Sequence, residues 1–473
     1  MGTARLQILG PAEREAIDEA TRALLFECGV SVRSGAAREA LAQMGAMVDA
    51  QGDRVRFPES ILKDALRATP KAVFLASRDG KHDLRLPDGR PHVTTDGCGV
   101  KVLDLETDER RPSTTRDLRD LTRVADALDA VEVQWPLCVA GDVPQETHNR
   151  VEVAAVFEAT TKHVQAEALS ASDAKALVAM AAAIAGGPDG LRQRPVLSSV
   201  QCPVSPLVLE AGATDATLVF ARAGVPVVPV SMVLMGGSSP VDLASALVIM
   251  NAENLATLCT AQAAAHGAPL IYGASSGPID MRTGAFASGS PESALLDAAA
   301  AEMAHHYGLP CLVGGFACDP EGVGFQAGAE KIGSGILPML AGADLIAGIG
   351  GLETDGVMSA EQLVIDADLA DYARRLLEGI RVGADSIHLD MIQRLGPGGD
   401  YLRERDTLIR FRETLWQPRI LLRDAHAQGR SPDERLRERA RARVREILRE
   451  HWAEPLDEDV RTTIWSLAGT APP

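Results

Sequence analysis

Side chains able to bind or react stand at the ends of a series of apolar, strand-like runs, which is where a parallel α/β enzyme keeps its chemistry. The run at 131–139 offers Trp135 and Cys138, the run at 163–169 offers Gln165 and Glu167, and the run at 195–202 ends in Gln201 and Cys202. Tyr272 and Ser275 stand at the end of 269–273, Phe316, Cys318 and Asp319 at the end of 310–316, and Glu353 just beyond 344–349. The set is rich in uncharged hydrogen-bonding groups and aromatic rings. It holds no nucleophile–base pair with a diagnostic spacing.

Each of these residues has a functional reading and a plainer one. Trp135, Tyr272 and Phe316 could form an aromatic box for a quaternary ammonium group by cation–π attraction. Aromatics make up only 4% of the chain, although a ring at a strand end also serves as core. In HVQAEAL, strand alternation puts His163, Gln165 and Glu167 on one face. A carboxylate there, turned into a barrel, is costly unless it is paired or functional, and the alternative is a structural hydrogen-bond anchor. Asp319 opens CDPEGVGFQAGAEK, where it either caps the following helix or belongs to a loop aimed over the site. Cys138, Cys202 and Cys318 could meet as zinc ligands, but cysteine also packs as a small apolar residue, and no metal is expected. His305 and His306 are adjacent on a helix, face different sides and make a poor chelating pair.

Elements must position these groups, and from residue 115 they alternate regularly. Helical stretches near 117–128, 149–160, 172–185, 210–223, 240–265, 291–307, 325–340 and 360–379 interleave with the strand-like runs. Seven β–α steps are countable, and 100–105 can supply an eighth strand. Repeats of this length match a TIM (β/α)8 barrel over 93–395. An open doubly wound sheet is the rival, but no GxGxxG stands at a first strand–helix turn. Residues 1–92 read as a mostly helical segment preceding the barrel, and 396–473 as a helical extension. Within that extension, LRERARARVREILREH is an arginine-laced amphipathic helix, either a solvated face or a docking surface for an acidic protein.

The 473 residues carry 47 Lys and Arg against 65 Asp and Glu, a net charge of −18. That excludes a nucleic-acid binder, which needs a basic face. Seven cysteines without CxxC spacing argue against a disulfide framework and for a reducing compartment. No stretch approaches 18 uninterrupted apolar residues, so a cytoplasmic protein with no membrane span is expected. Enzymes of this size commonly form homo-oligomers.

Several long motifs occur together: PVDLASALVIMNAENLATLCTAQ, GAPLIYGASSGPIDMRTGAFASGSPE, HYGLPCLVGG, FQAGAEK, SAEQLVID and RLGPGGDYL. With the N-terminal GVSVRSGAAREALAQMGAMVDAQGDRVRFPESILKDALRATPKAVFLASRDG and the terminal EHWAEPLDEDV, they resemble the trimethylamine methyltransferase (MttB-type) family over nearly the whole chain. The resemblance implies a TIM-type barrel that removes a methyl group from a methylated amine. In the family the methyl passes to cobalamin on a corrinoid protein docked at the barrel mouth. Trimethylamine-specific members carry pyrrolysine; this chain has only standard residues and is similar to the members associated with quaternary amines such as glycine betaine. Tetrahydrofolate as direct acceptor is an alternative. So are a metal-dependent barrel lyase or hydrolase and a non-catalytic binder of methylated osmolytes. A quaternary ammonium is already an activated methyl donor, so orientation matters more than acid–base power.

Overall fold

The computed structural model describes residues 5–97, 99–423 and 430–471. Eight parallel strands close into a barrel. In chain order they are β1 (His92–Thr95), β2 (Val133–Gln134), β3 (His163–Glu167), β4 (Leu197–Gln201), β5 (Val227–Ser231), β6 (Tyr272–Ala274), β7 (Cys311–Val313) and β8 (Leu345–Ile349). Each is followed by a covering helix: α1 (Thr115–Asp126), α2 (His148–Ala159), α3 (Ala171–Ile184), α4 (Ala211–Ala223), α5 (Leu243–Ala264), α6 (Pro291–His306), α7 (Phe325–Ala341) and α8 (Ala360–Leu377). Buried on both faces, the strands mix apolar and polar residues on each, so a polar-out alternation is not there to be read.

Register decides which residues enter the bore. Val133 pairs with His163, Gln165 with Ser198, Glu167 with Val200, Val200 with Val228, Val230 with Gly273 and Gly273 with Leu312. Those side chains face inward, and their sequence neighbours face the helices. Val133, Trp135, Val200, Val228, Val230, Ile271, Leu312, Leu345 and Ala347 form one apolar cluster with Val73, Leu75, Leu84 and Leu86. The last four come from the antiparallel hairpin Val73–Leu75 and Leu84–Leu86. It closes the N-terminal end of the barrel, where Ala76 N donates to Pro195 O and Arg78 N to Thr161 O. Only the C-terminal end is left for a site.

One strand differs from the sequence reading. The eighth barrel strand is His92–Thr95; residues 100–105 contribute Lys101–Leu103 to a side sheet, antiparallel to Arg110–Pro112 and parallel to Val357–Met358. The barrel strand is short and polar at its end, with Thr94, Thr95 and the following Asp96 all buried, and the sequence reading gave the place in the barrel to the more apolar 100–105. Lys101–Leu103 is more apolar yet half exposed.

Helix α5 has the length and composition of a membrane span, with 72% of its apolar window buried inside the protein. The cause is local: it packs on β5 on one side and on the helices Pro11–Glu27, Gly35–Met44 and Glu59–Ala68 on the other. A helix apolar all round belongs between two layers. The helix Pro432–Glu450 carries the arginine-rich stretch and buries Ala440, Val444 and Ile447. Its cationic face is occupied within the chain: Arg437 and Arg441 bind Glu361 at 2.6 and 2.9 Å, and Arg445 binds Glu106 at 2.6 Å.

Candidate active site

Trp135 enters the mouth at the end of β2, and backbone bonds fix it. Its N–H donates to Thr95 Oγ1 (2.7 Å), and that hydroxyl donates to Trp135 O (2.8 Å). A Cβ at Gly97 would lie 2.5 Å from the indole, so glycine there lets the ring lie against the chain. Next along the rim, the Cys202 thiol donates to Glu167 Oε1 at 3.5 Å, joining the ends of β4 and β3. Burial, then the Glu167 charge, pushes that thiol well above its ordinary range. Below them Gln165 is fully buried in the bore, and neither its Oε1 nor its Nε2 meets a protein partner.

Around the ends of β1, β6, β7 and β8 stand three carboxyl groups that the sequence reading missed. Asp96 ends β1, Asp297 projects from α6, and Asp355 lies in the loop after β8; with Ser275, Gly314 and Ala347 they line a cavity of ≈ 30 Å³. Asp355 Oδ1 and Asp96 Oδ2 face each other beside Gly351. Burial, then the neighbouring Asp96, holds Asp355 well above the usual carboxylate range, which favours its protonated form. Burial likewise raises Asp297, against the opposing effect of the Gly314 N–H. A wider cavity of ≈ 240 Å³ opens beside β2 and β3, lined by Trp135, His148, Glu152, Glu167 and others.

The remaining expected residues occupy other places. Tyr272 points outward, because Ile271 and Gly273 take the bore; its hydroxyl donates to Asn251 Oδ1 of α5 at 3.2 Å. Phe316, at φ 44°, packs its ring against Gly335 of α7, where an added Cβ would lie 2.5 Å away. The three rings therefore do not converge into a box, and Trp135 alone of them lines a mouth cavity among the described residues. Gln201 also faces outward, donating to Ser199 Oγ at 2.7 Å and lining a cleft with Thr257 and Thr260 of α5. Ser275 lines the acidic cavity.

Cys318 is buried with its thiol toward Gly351 O at 3.7 Å, and burial pushes it up to about 12. Asp319 fastens the rim: Oδ1 accepts from Gly289 N (2.9 Å), Ser288 Oγ (3.1 Å) and Thr354 Oγ1 (3.3 Å), tying the loops after β6, β7 and β8. Glu353 accepts from Arg110 at 2.8 Å and begins a run of three left-handed residues, Glu353, Thr354 and Asp355, at φ 52°, 52° and 64°. That costly backbone run carries Asp355 into the cavity.

Cys138, Cys202 and Cys318 do not gather into a ligand set among the described residues. The group that could hold a metal is His305, Cys311 and Asp344, whose ligand atoms lie within 4.8 Å of one another. It sits before β7 and β8, at the end of the barrel away from the mouth. The mouth itself offers an aromatic face, carboxyl groups and serine hydroxyls, a lining suited to holding a cation.

Comparison with known proteins agrees with this architecture. The family model described as trimethylamine methyltransferase (MTTB) matches residues 1–466. The chain is 33% identical to the trimethylamine methyltransferase MttB of Desulfitobacterium hafniense (strain DSM 10664 / DCB-2), over 98% of this chain and 95% of that one. It is 27% identical to a glycine betaine methyltransferase of Desulfitobacterium hafniense (strain Y51), over 96% and 95%. Among solved structures, the monomethylamine methyltransferase MtmB of Methanosarcina barkeri superposes with a TM-score of 0.52 at 13% identity, covering 92% of each chain, a likeness of fold. The chain thus belongs to the trimethylamine methyltransferase family and is a methyltransferase built on an eight-stranded barrel.

Proposed function

We propose that the chain takes a methyl group from a tertiary or quaternary methylammonium compound and passes it to the cobalt of a corrinoid protein. The observation that carries this reading is the lining of the mouth. Trp135 presents a ring, Glu167 a carboxyl group across β2 and β3, and neither cavity is lined by a Lys or Arg. An onium head is held there by the ring face and by charge, without a covalent intermediate on the protein.

The chemistry asks little else of these residues. The C–N bond breaks as the acceptor's electron pair forms the new bond to carbon, and the amine leaves neutral with the old pair. A reduced corrinoid supplies that nucleophile when docked. The chain's own task is to fix the nitrogen so that the methyl points out of the mouth, a contribution of orientation. The relatives' printed substrates, trimethylamine and glycine betaine, support a methylated amine as donor.

The test is a transfer assay on the purified chain with methylated ammonium donors and either cob(I)alamin or tetrahydrofolate as acceptor. Methylcobalamin with release of one demethylated amine per methyl is expected. Methyl transfer only to tetrahydrofolate would move the acceptor, and no transfer to either would overturn the reading.

A further inference from the structure

The charges at the mouth are one-sided. The wider cavity is lined by Glu146, Glu152, Glu167 and Asp173, and the smaller by Asp96, Asp297 and Asp355. Against these seven carboxyl groups stands one imidazole, His148, whose Nδ1 lies 2.9 Å from Glu152 Oε1. The nearby cations are already paired, Arg150 with a carboxyl group of the lining itself. Arg150 binds Asp173 and Ser172 (2.7 and 2.9 Å), and Arg110 binds Glu353 and Glu321 (2.8 and 3.0 Å). Lys331 is fully buried behind the mouth, bound to Asp366 at 2.9 Å.

Within this lining some oxygens have no donor. Asp96 is 8% exposed and Asp297 4%, and Asp96 Oδ2, Asp355 Oδ1 and Asp297 Oδ1 are buried without a donor partner. Asp355 Oδ1 and Asp96 Oδ2 flank one spot: a Cβ on Gly351 would meet them at 2.2 and 3.1 Å. Buried acceptors facing each other need a proton or a cation between or against them.

We propose that this mouth selects methylated cations that carry no anionic arm, and that the Asp96–Asp355 pair is the element that reads the charge. The inference rests on the methyl-donor reading above and narrows its substrate class to carboxylate-free onium ions. A betaine brings a carboxylate that needs a guanidinium or ammonium partner. Here it meets carboxyl groups, and selection works by repulsion as much as by attraction. A bare onium held at the mouth favours the charged form of the pair through space, so its binding releases the pair's proton to solvent. The charged groups that act on Asp355 are Asp96, Asp319 and, from α7, Lys331.

Isothermal titration of the full chain with tetramethylammonium and with glycine betaine tests this, each in two buffers of different ionisation enthalpy. Tetramethylammonium should bind tighter by roughly tenfold or more, with a heat that differs between buffers because a proton is released. Asp355→Asn should abolish the buffer dependence and narrow the preference. Asp297→Asn, which keeps the pair, should retain both the release and the preference; loss of the release in that variant overturns the assignment to the pair, and it serves if the first variant does not fold. Glycine betaine binding as tightly as tetramethylammonium, or neither binding, overturns the inference. The two levels separate. The preference without methyl product in the transfer assay sinks the methyl-donor reading alone, whereas glycine betaine as the one donor turned over sinks the charge selection alone.

Discussion

Lys331 Nζ lies 2.9 Å from Asp366 Oδ2, and neither side chain reaches solvent. The same ammonium donates to Phe316 O (2.5 Å) and Gly348 O (3.1 Å), so an ion pair between α7 and α8 holds the ends of β7 and β8 from behind the mouth. Removing one member strands the other charge in the core. Lys331→Met should therefore cost about 3–5 kcal/mol, read by chemical denaturation. The double variant Lys331→Met with Asp366→Leu should recover much of the loss. A single variant within 1 kcal/mol of the parent, on the order of a surface pair, would show that the pair supports nothing.

Trp135 and Tyr272 separate the two aromatic roles. Trp135→Ala should weaken tetramethylammonium binding by about 1–2 kcal/mol through loss of a desolvated cation–π contact. Tyr272→Phe should leave binding unchanged and cost about 1 kcal/mol of stability, the worth of its bond to Asn251. The opposite outcome, with binding lost at Tyr272 and kept at Trp135, would place the onium outside the described cavities.

The barrel was legible because each β–α step repeats a long apolar helix and an apolar run, and seven of the strands announce themselves that way. β1 was not assigned to the barrel, since its His-Val-Thr-Thr carries little apolar signal and its burial comes from neighbours far along the chain. At the mouth, Trp135, Glu167 and Ser275 were reachable from strand ends. Tyr272, Phe316 and Gln201 were placed in the right neighbourhood but on the helix-facing side, because strands buried on both faces give no alternation to read. Asp297 left a trace, an acid within the apolar stretch ALLDAAAA of α6. Asp355 left none: TDG reads as a solvent turn, and only the left-handed backbone at Glu353 to Asp355 carries its carboxyl inward.

Asp297 makes stability depend on pH in a stated direction. Burial raises its folded value above the unfolded one, so the native state holds its proton to a higher pH than the unfolded chain does. Its contribution is complete below the unfolded carboxylate range and is lost as pH rises through the raised folded value. Asp297→Asn removes the titrating group and keeps the shape. The variant should gain more in Tm over the parent at pH 8 than at pH 5, measured by calorimetry. An equal gain at both would mean that the carboxyl group ionises as freely in the fold as in the open chain.

A methyl group followed by its isotope tests the whole account. Tetramethylammonium labelled with deuterium in every methyl is incubated with the chain and a reduced corrinoid protein, and the cobalt-bound methyl is read by mass spectrometry. A CD3 group on cobalt, with one labelled trimethylamine released for each, is the predicted result. A donor that binds at the mouth yet leaves no labelled methyl on cobalt, with glycine betaine equally inert, would contradict it.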